Sequence, residues 1–109
     1  METEGVPGDE LGQVLATLAN PHRMRVIAAL AGRREYVSGL ARELGISRAL
    51  LQVHLRKLEA AGLVASTLEF SADGKSLKFY EVVPFRFVLT PESVTAAART
   101  LGPAGGRED

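Results

Sequence analysis

The chain has 109 residues, 46% hydrophobic and 24% charged, and no cysteine. That is one domain's length, enough to bury a core without disulfides, and thiolate metal or redox sites of its own are excluded. Thirteen Lys and Arg balance thirteen Asp and Glu, and no apolar run reaches the ~18–20 residues of a membrane span; a cytoplasmic protein without membrane contact is expected.

The first nine residues are acidic and interrupted by Gly and Pro, unlike a secretory leader, and read as a disordered tail. Leu11, Val14, Leu15 and Leu18 then recur at helical spacing. Asn20-Pro21 supplies an N-cap followed by proline at the first helical position, so a second helix starts there and ends at Gly32. Tyr36-Val37 reads as a short extended stretch, with Ser38 capping a helix through Leu44 and Gly45 suited to its left-handed end. Ser47 caps the next helix, which carries Leu51, Leu55 and Leu58 on one side and closes at Gly62. Leu63–Phe70 and Leu77–Val83 are β-compatible, and the Asp73-Gly74 pair between them signals a hairpin. Phe85–Leu89 is apolar but carries no clear period. Thr90-Pro91-Glu92 opens a last helix expected to end at Gly102, and residues 103–109 read as a second disordered tail.

The expected fold is therefore mainly α with a small β-hairpin wing. It is a winged helix-turn-helix over residues 10–102, flanked by N- and C-terminal helices. Within it, residues 37–58 meet the requirements of two helices joined steeply: small Ala41 at the close approach, Gly45 at the turn, Ile46 plugging the angle and Ser47 as cap. With Leu51 taken as inward, Ala49, Gln52, Val53 and Arg56 fall on the opposite side, and Arg48 projects from the first turn. A recognition helix presents such a face to the major groove, where Arg suits guanine and Gln suits adenine. Leu50 and Val53 fit either thymine methyls or packing against a neighbouring element, with packing favoured for Leu50.

Net neutrality conceals an asymmetry. Residues 1–20 carry four acids and no base, whereas residues 21–58 carry eight bases (Arg23, Arg25, Arg33, Arg34, Arg42, Arg48, Arg56, Lys57) against Glu35 and Glu43. Such a block is the electrostatic footprint of nucleic acid, or else a set of solvated helix faces. No phosphate loop, catalytic carboxylate pair or nucleophile–base set accompanies it, so an enzyme is not expected.

Leu18-Ala19-Asn20-Pro21-His22-Arg23-Met24-Arg25-Val26-Ile27 resembles the opening of the ArsR-type winged-helix repressors. Leu40-Ala41, Leu44-Gly45-Ile46-Ser47, His54-Leu55 and Leu58-Glu59-Ala60-Ala61-Gly62-Leu63-Val64 resemble that family's helix-turn-helix and its exit into the wing, and Gly74-Lys75 through Tyr80 its wing return. The resemblance spans residues 11 to about 83. It implies a homodimeric regulator of transcription on an inverted-repeat operator in double-stranded DNA, with Arg48, Ala49, Gln52, Val53 and Arg56 at the recognition positions. Metal-sensing members carry cysteines near Tyr36 and Ser38 or a histidine on the last helix, and both are missing here, so no metal or cofactor is expected.

The expected division of labour gives base reading to Arg48, Gln52 and Arg56 and phosphate contacts to Arg42, Ser47, Lys57 and Lys75. Lys78 shares the hairpin and could touch the backbone too, or be solvated. His22 and His54, far apart in sequence, do not make a metal site by themselves. The apolar stripes Leu11, Val14, Leu15, Leu18 and Val94, Ala97, Ala98, Leu101 are expected to pair across a two-fold axis. The aromatic set Phe79, Tyr80, Phe85 and Phe87 is the place for a small apolar ligand, if one acts. The alternative function is a winged-helix protein-interaction module without sequence-specific DNA binding, in which Leu50, Val53 and the wing contact a partner protein.

Overall fold

A computed structural model describes residues 6–103 of the chain. Among them are five helices and three strands, in the order α1 (Gly8–Leu18), α2 (Pro21–Leu30), β1 (Glu35–Tyr36), α3 (Val37–Leu44), α4 (Arg48–Ala60), β2 (Val64–Phe70), β3 (Ser76–Val82) and α5 (Pro91–Ala98). The chain divides into a central unit, residues 17–83, and a terminal unit built from both ends.

The helix starts follow from their caps. Asn20 Oδ1 accepts from the backbone N–H groups of His22 (2.9 Å) and Arg23 (3.3 Å), with Pro21 at the first position, where a missing N–H costs nothing. Ser47 Oγ accepts from Leu50 N at 3.0 Å, and Thr90 and Ser93 form a reciprocal capping box. Gly45 ends α3 at φ 70°, a conformation that a side chain would make costly, and so lets the chain turn directly into α4.

The α3 start differs from expectation. Ser38 is not the cap: the helix begins at Val37 after an extended Tyr36 that makes no side-chain capping bond. The cause is tertiary, because Glu35 and Tyr36 pair antiparallel with Tyr80 and Phe79 as an edge strand of a three-stranded sheet ordered β1-β3-β2. The hairpin itself pairs Val64 with Val82 through Phe70 with Ser76. Its loop is held by Ser71 N to Lys75 O (2.7 Å) and Lys75 N to Asp73 Oδ1 (3.2 Å). The Ser71 hydroxyl and then the Lys75 N–H stabilise the Asp73 carboxylate and lower its pKa.

The central unit's core is Val26 and Leu30 of α2, Leu40 and Ala41 of α3, Leu51, Leu55 and Leu58 of α4, then Leu63, Val64 and Tyr80. The inward face expected of α4 is thus the observed one. In the terminal unit, Val6, Leu11 and Ala97 are buried together with Phe87 against them. Residues 6–9 are accordingly structured where a tail was expected; the remaining tail residues, 1–5 and 104–109, lie outside the described residues. Gly8 is the reason, since its missing side chain admits close backbone approach. A Cβ there would stand 2.2 Å from Ala97 O. Its N–H donates to Thr100 Oγ1 at 2.7 Å, and that hydroxyl donates to Ala97 O at 2.9 Å. The last turn after Ala98 is correspondingly tightened, and α5 ends before Gly102.

Candidate nucleic-acid interface

Helix α4 has two unlike sides. Leu51, Leu55 and Leu58 are fully buried, which fixes the rotation of the helix, while Arg48, Ala49, Gln52, Val53, Arg56 and Lys57 are exposed. Leu50 does not pack away as expected; it and Val53 are both 39% exposed. Arg42 is exposed in the last turn of α3, and Ser47 is exposed as the cap. Accepting from Leu50 N leaves the Ser47 hydroxyl proton free to donate.

The bases of the central block separate into engaged and unengaged groups. Arg33 pairs with Glu43 (2.6 Å) and Glu35 (3.2 Å), and Arg34 pairs with Glu69 (2.5 Å) while lying over the Phe79 ring. Both guanidinium pKa values are raised, first by hydrogen bonds to Glu43 and Glu69 respectively. These two arginines are surface ion-pair partners, so the effective positive block is smaller than its formal count. Among the described residues, Arg42, Arg48, Arg56, Lys57 and Lys75 enter no ion pair. Unpaired cations beside a Gln amide can hold phosphates and read a base edge.

A groove of about 190 Å³ runs between the start of α3, the start of α4 and β3, lined among others by Tyr36, Ser38, Arg48, Gln52, Ser76 and Lys78. Lys75 is in the hairpin loop and does not line it, whereas Lys78, the hairpin's other lysine, does; Ser76, Ser38 and Tyr36 are polar lining residues not expected at the site. Alternation could have found Ser76, because it shares a strand face with Lys78 and the buried Tyr80.

Arg23 and the two histidines form a cluster that sequence distance concealed. The His22 and His54 rings stack with centroids 5.3 Å apart, and Arg23 Nε donates to His54 Nδ1 at 3.3 Å while its Nη1 donates to Thr17 O at 3.2 Å. His54 is 5% exposed, so it packs between α2 and α4 and is not available to a phosphate. Burial first, then Arg23 and His22, lower its pKa. Among the described residues no three His, Cys, Asp or Glu side chains gather as a metal site.

The aromatic set is divided between the two units. Phe79 meets Tyr36 edge-on, Tyr80 points to the opposite strand face beneath Lys78, and Phe85 packs against Phe87. Of the two terminal stripes, Leu11, Val14 and Ala97 are buried within the chain and Leu18 is partly buried. Leu15, Val94, Ala98 and Leu101 remain exposed. None of the described helices is long and apolar enough to cross a membrane.

Residues 20–66 match the family model described as bacterial regulatory protein, arsR family. Over 77 residues the chain is 34% identical to an uncharacterised helix-turn-helix-type transcriptional regulator of Methanocaldococcus jannaschii, covering 71% of this chain and 80% of that protein. The fold is similar to an ArsR-like transcriptional regulator from Rhodococcus sp. RHA1, at TM-score 0.60 and 27% identity over 84% of this chain and 76% of the other. It is also similar to a homodimeric winged helix-turn-helix DNA-binding domain from Mycobacterium bovis, at TM-score 0.62 and 21% identity over 84% and 74% of the two chains.

Proposed function

The chain belongs to the ArsR family of bacterial regulatory proteins, winged-helix regulators of transcription and not enzymes, and from that premise we propose that it is a homodimeric repressor binding an inverted-repeat operator through α4. The observation that carries this reading is the exposed side of α4. There, among the described residues, Arg48 and Arg56 enter no ion pair beside Gln52 on a helix whose other side is locked into the core. Insertion into a major groove would let Arg48, Gln52 and Arg56 meet base edges, with Ala49 and Val53 against thymine methyls. Arg42, Ser47, Lys57 and Lys75 would hold the flanking phosphates. A two-fold dimer places its two α4 helices about one helical turn, ~34–36 Å, apart, and the operator inherits that symmetry.

Dimerisation is assigned to the exposed remainder of the terminal stripes, Leu15, Val94, Ala98 and Leu101. The small Ala98 allows helices to approach closely, and the similar Mycobacterium bovis domain is a homodimer. Exposure of Leu50 and Val53 favours the second reading, a module that docks on protein. Selection of bound duplexes from a random DNA pool separates the two: enrichment of an inverted repeat supports the operator reading, and a pool that stays random after repeated rounds overturns it.

A further inference from the structure

Among the described residues, the wing carries the most exposed large apolar side chain. Phe70, the last residue of β2, is 71% exposed, and Leu68 is 54% exposed. Antiparallel register places directly opposed residues on one face of a sheet. Ser66 opposes Tyr80, Leu68 opposes Lys78 and Phe70 opposes Ser76, so all six side chains share a face. Two observations identify it as the face turned toward α4: Ser66 Oγ donates to Glu59 Oε2 at 3.2 Å near the end of that helix, and Tyr80 on this face is buried in the core that α4 helps form. Leu68 and Phe70 therefore continue the α4 surface outward along the hairpin, with a lysine directly across from Leu68.

We propose that Phe70, backed by Leu68, is a wedge that enters the minor groove beside the α4 site and partly unstacks a base step. The proposal rests on the DNA-binding reading above. The chemistry fits a duplex: the wing faces the same way as the reading helix, its Lys78 and Lys75 suit flanking phosphates, and apolar side chains inserted from minor-groove elements kink DNA at flexible steps. An aromatic ring left in water at the strand end contributes little to the core, so its removal should not disturb the fold.

The test uses the full chain and a duplex enriched from a random pool by the wild-type protein, with 2-aminopurine placed singly along the minor-groove flank of each half-site. Wild type should raise the fluorescence at one step per half-site. Phe70→Ala should abolish that rise and weaken binding about tenfold, a loss typical of one good apolar contact, while leaving the salt slope unchanged. Phe70→Trp should retain both. A Phe70→Ala protein that binds the enriched duplex with wild-type affinity and fluorescence overturns the wedge, and leaves the stripe to a protein partner. Failure to enrich any duplex overturns the DNA reading itself, and the wedge with it.

Discussion

The imidazole of His54 lies between α2 and α4 with Nδ1 accepting from Arg23 Nε. That bond places the single proton of the neutral ring on Nε2, which is buried and, among the described residues, has no hydrogen-bond partner. Burial penalises the charged ring first, and a second proton would also set an N–H against the guanidinium N–H and a positive charge beside Arg23 and His22, so the pKa is depressed. Between that depressed value and about 6.5, the unfolded chain takes up a proton that the folded one refuses. Stability from this site is thus complete above about pH 6.5 and falls as the pH drops toward the folded pKa. Asp73, also depressed, acts in a separate window, its contribution lost only as pH falls below its usual value. Urea midpoints should therefore decrease from about pH 7.5 to 5.5, and His54→Gln, which keeps an acceptor for Arg23, should flatten that slope. An equal slope in the variant would contradict the assignment. The stacked pair was not legible in the sequence, because His22 and His54 meet only once α2 packs on α4.

At the scale of elements, caps and turns were readable and pairings were not. Asn20, Ser47, Thr90, Gly45 and the Asp73-Gly74 loop act on backbone groups within a few residues of themselves, so their chemistry is local and the sequence states it. The edge strand Glu35–Tyr36 depends on Phe79 and Tyr80 far along the chain, and its pairing displaced the α3 start expected at Ser38. The same holds for charge: Arg33 and Arg34 looked like part of the DNA-facing block until folding brought them to Glu43 and Glu69. Helix α4 gives the sharpest prediction here. Ser47→Ala removes the one acceptor for Leu50 N at the helix start and should cost about 1 kcal/mol in denaturant unfolding. No loss would mean that water replaces the cap without penalty.

For the whole molecule, the terminal unit and α4 have separable jobs under the proposed function. Gly8→Ala would drive a Cβ against Ala97 O and within 2.9 Å of the Leu101 side chain. Backbone there must move, so amide exchange over residues 91–98 should accelerate and light scattering should show a weakened dimer. Wild-type exchange in that variant would show that the close approach is dispensable. The exposed face of α4 was legible in advance because helical period alone turns Gln52, Val53 and Arg56 away from the buried Leu51. Which of the wing's two lysines lines the groove was not, since only β-register brings Lys78 rather than Lys75 there. The most direct test of operator reading is the affinity ratio between an enriched duplex and its scrambled counterpart, titrated at fixed salt with wild type and Gln52→Ala. The ratio should fall by the equivalent of about 1–3 kcal/mol with little change in affinity for the scrambled duplex, whereas an unchanged ratio would contradict base reading by α4.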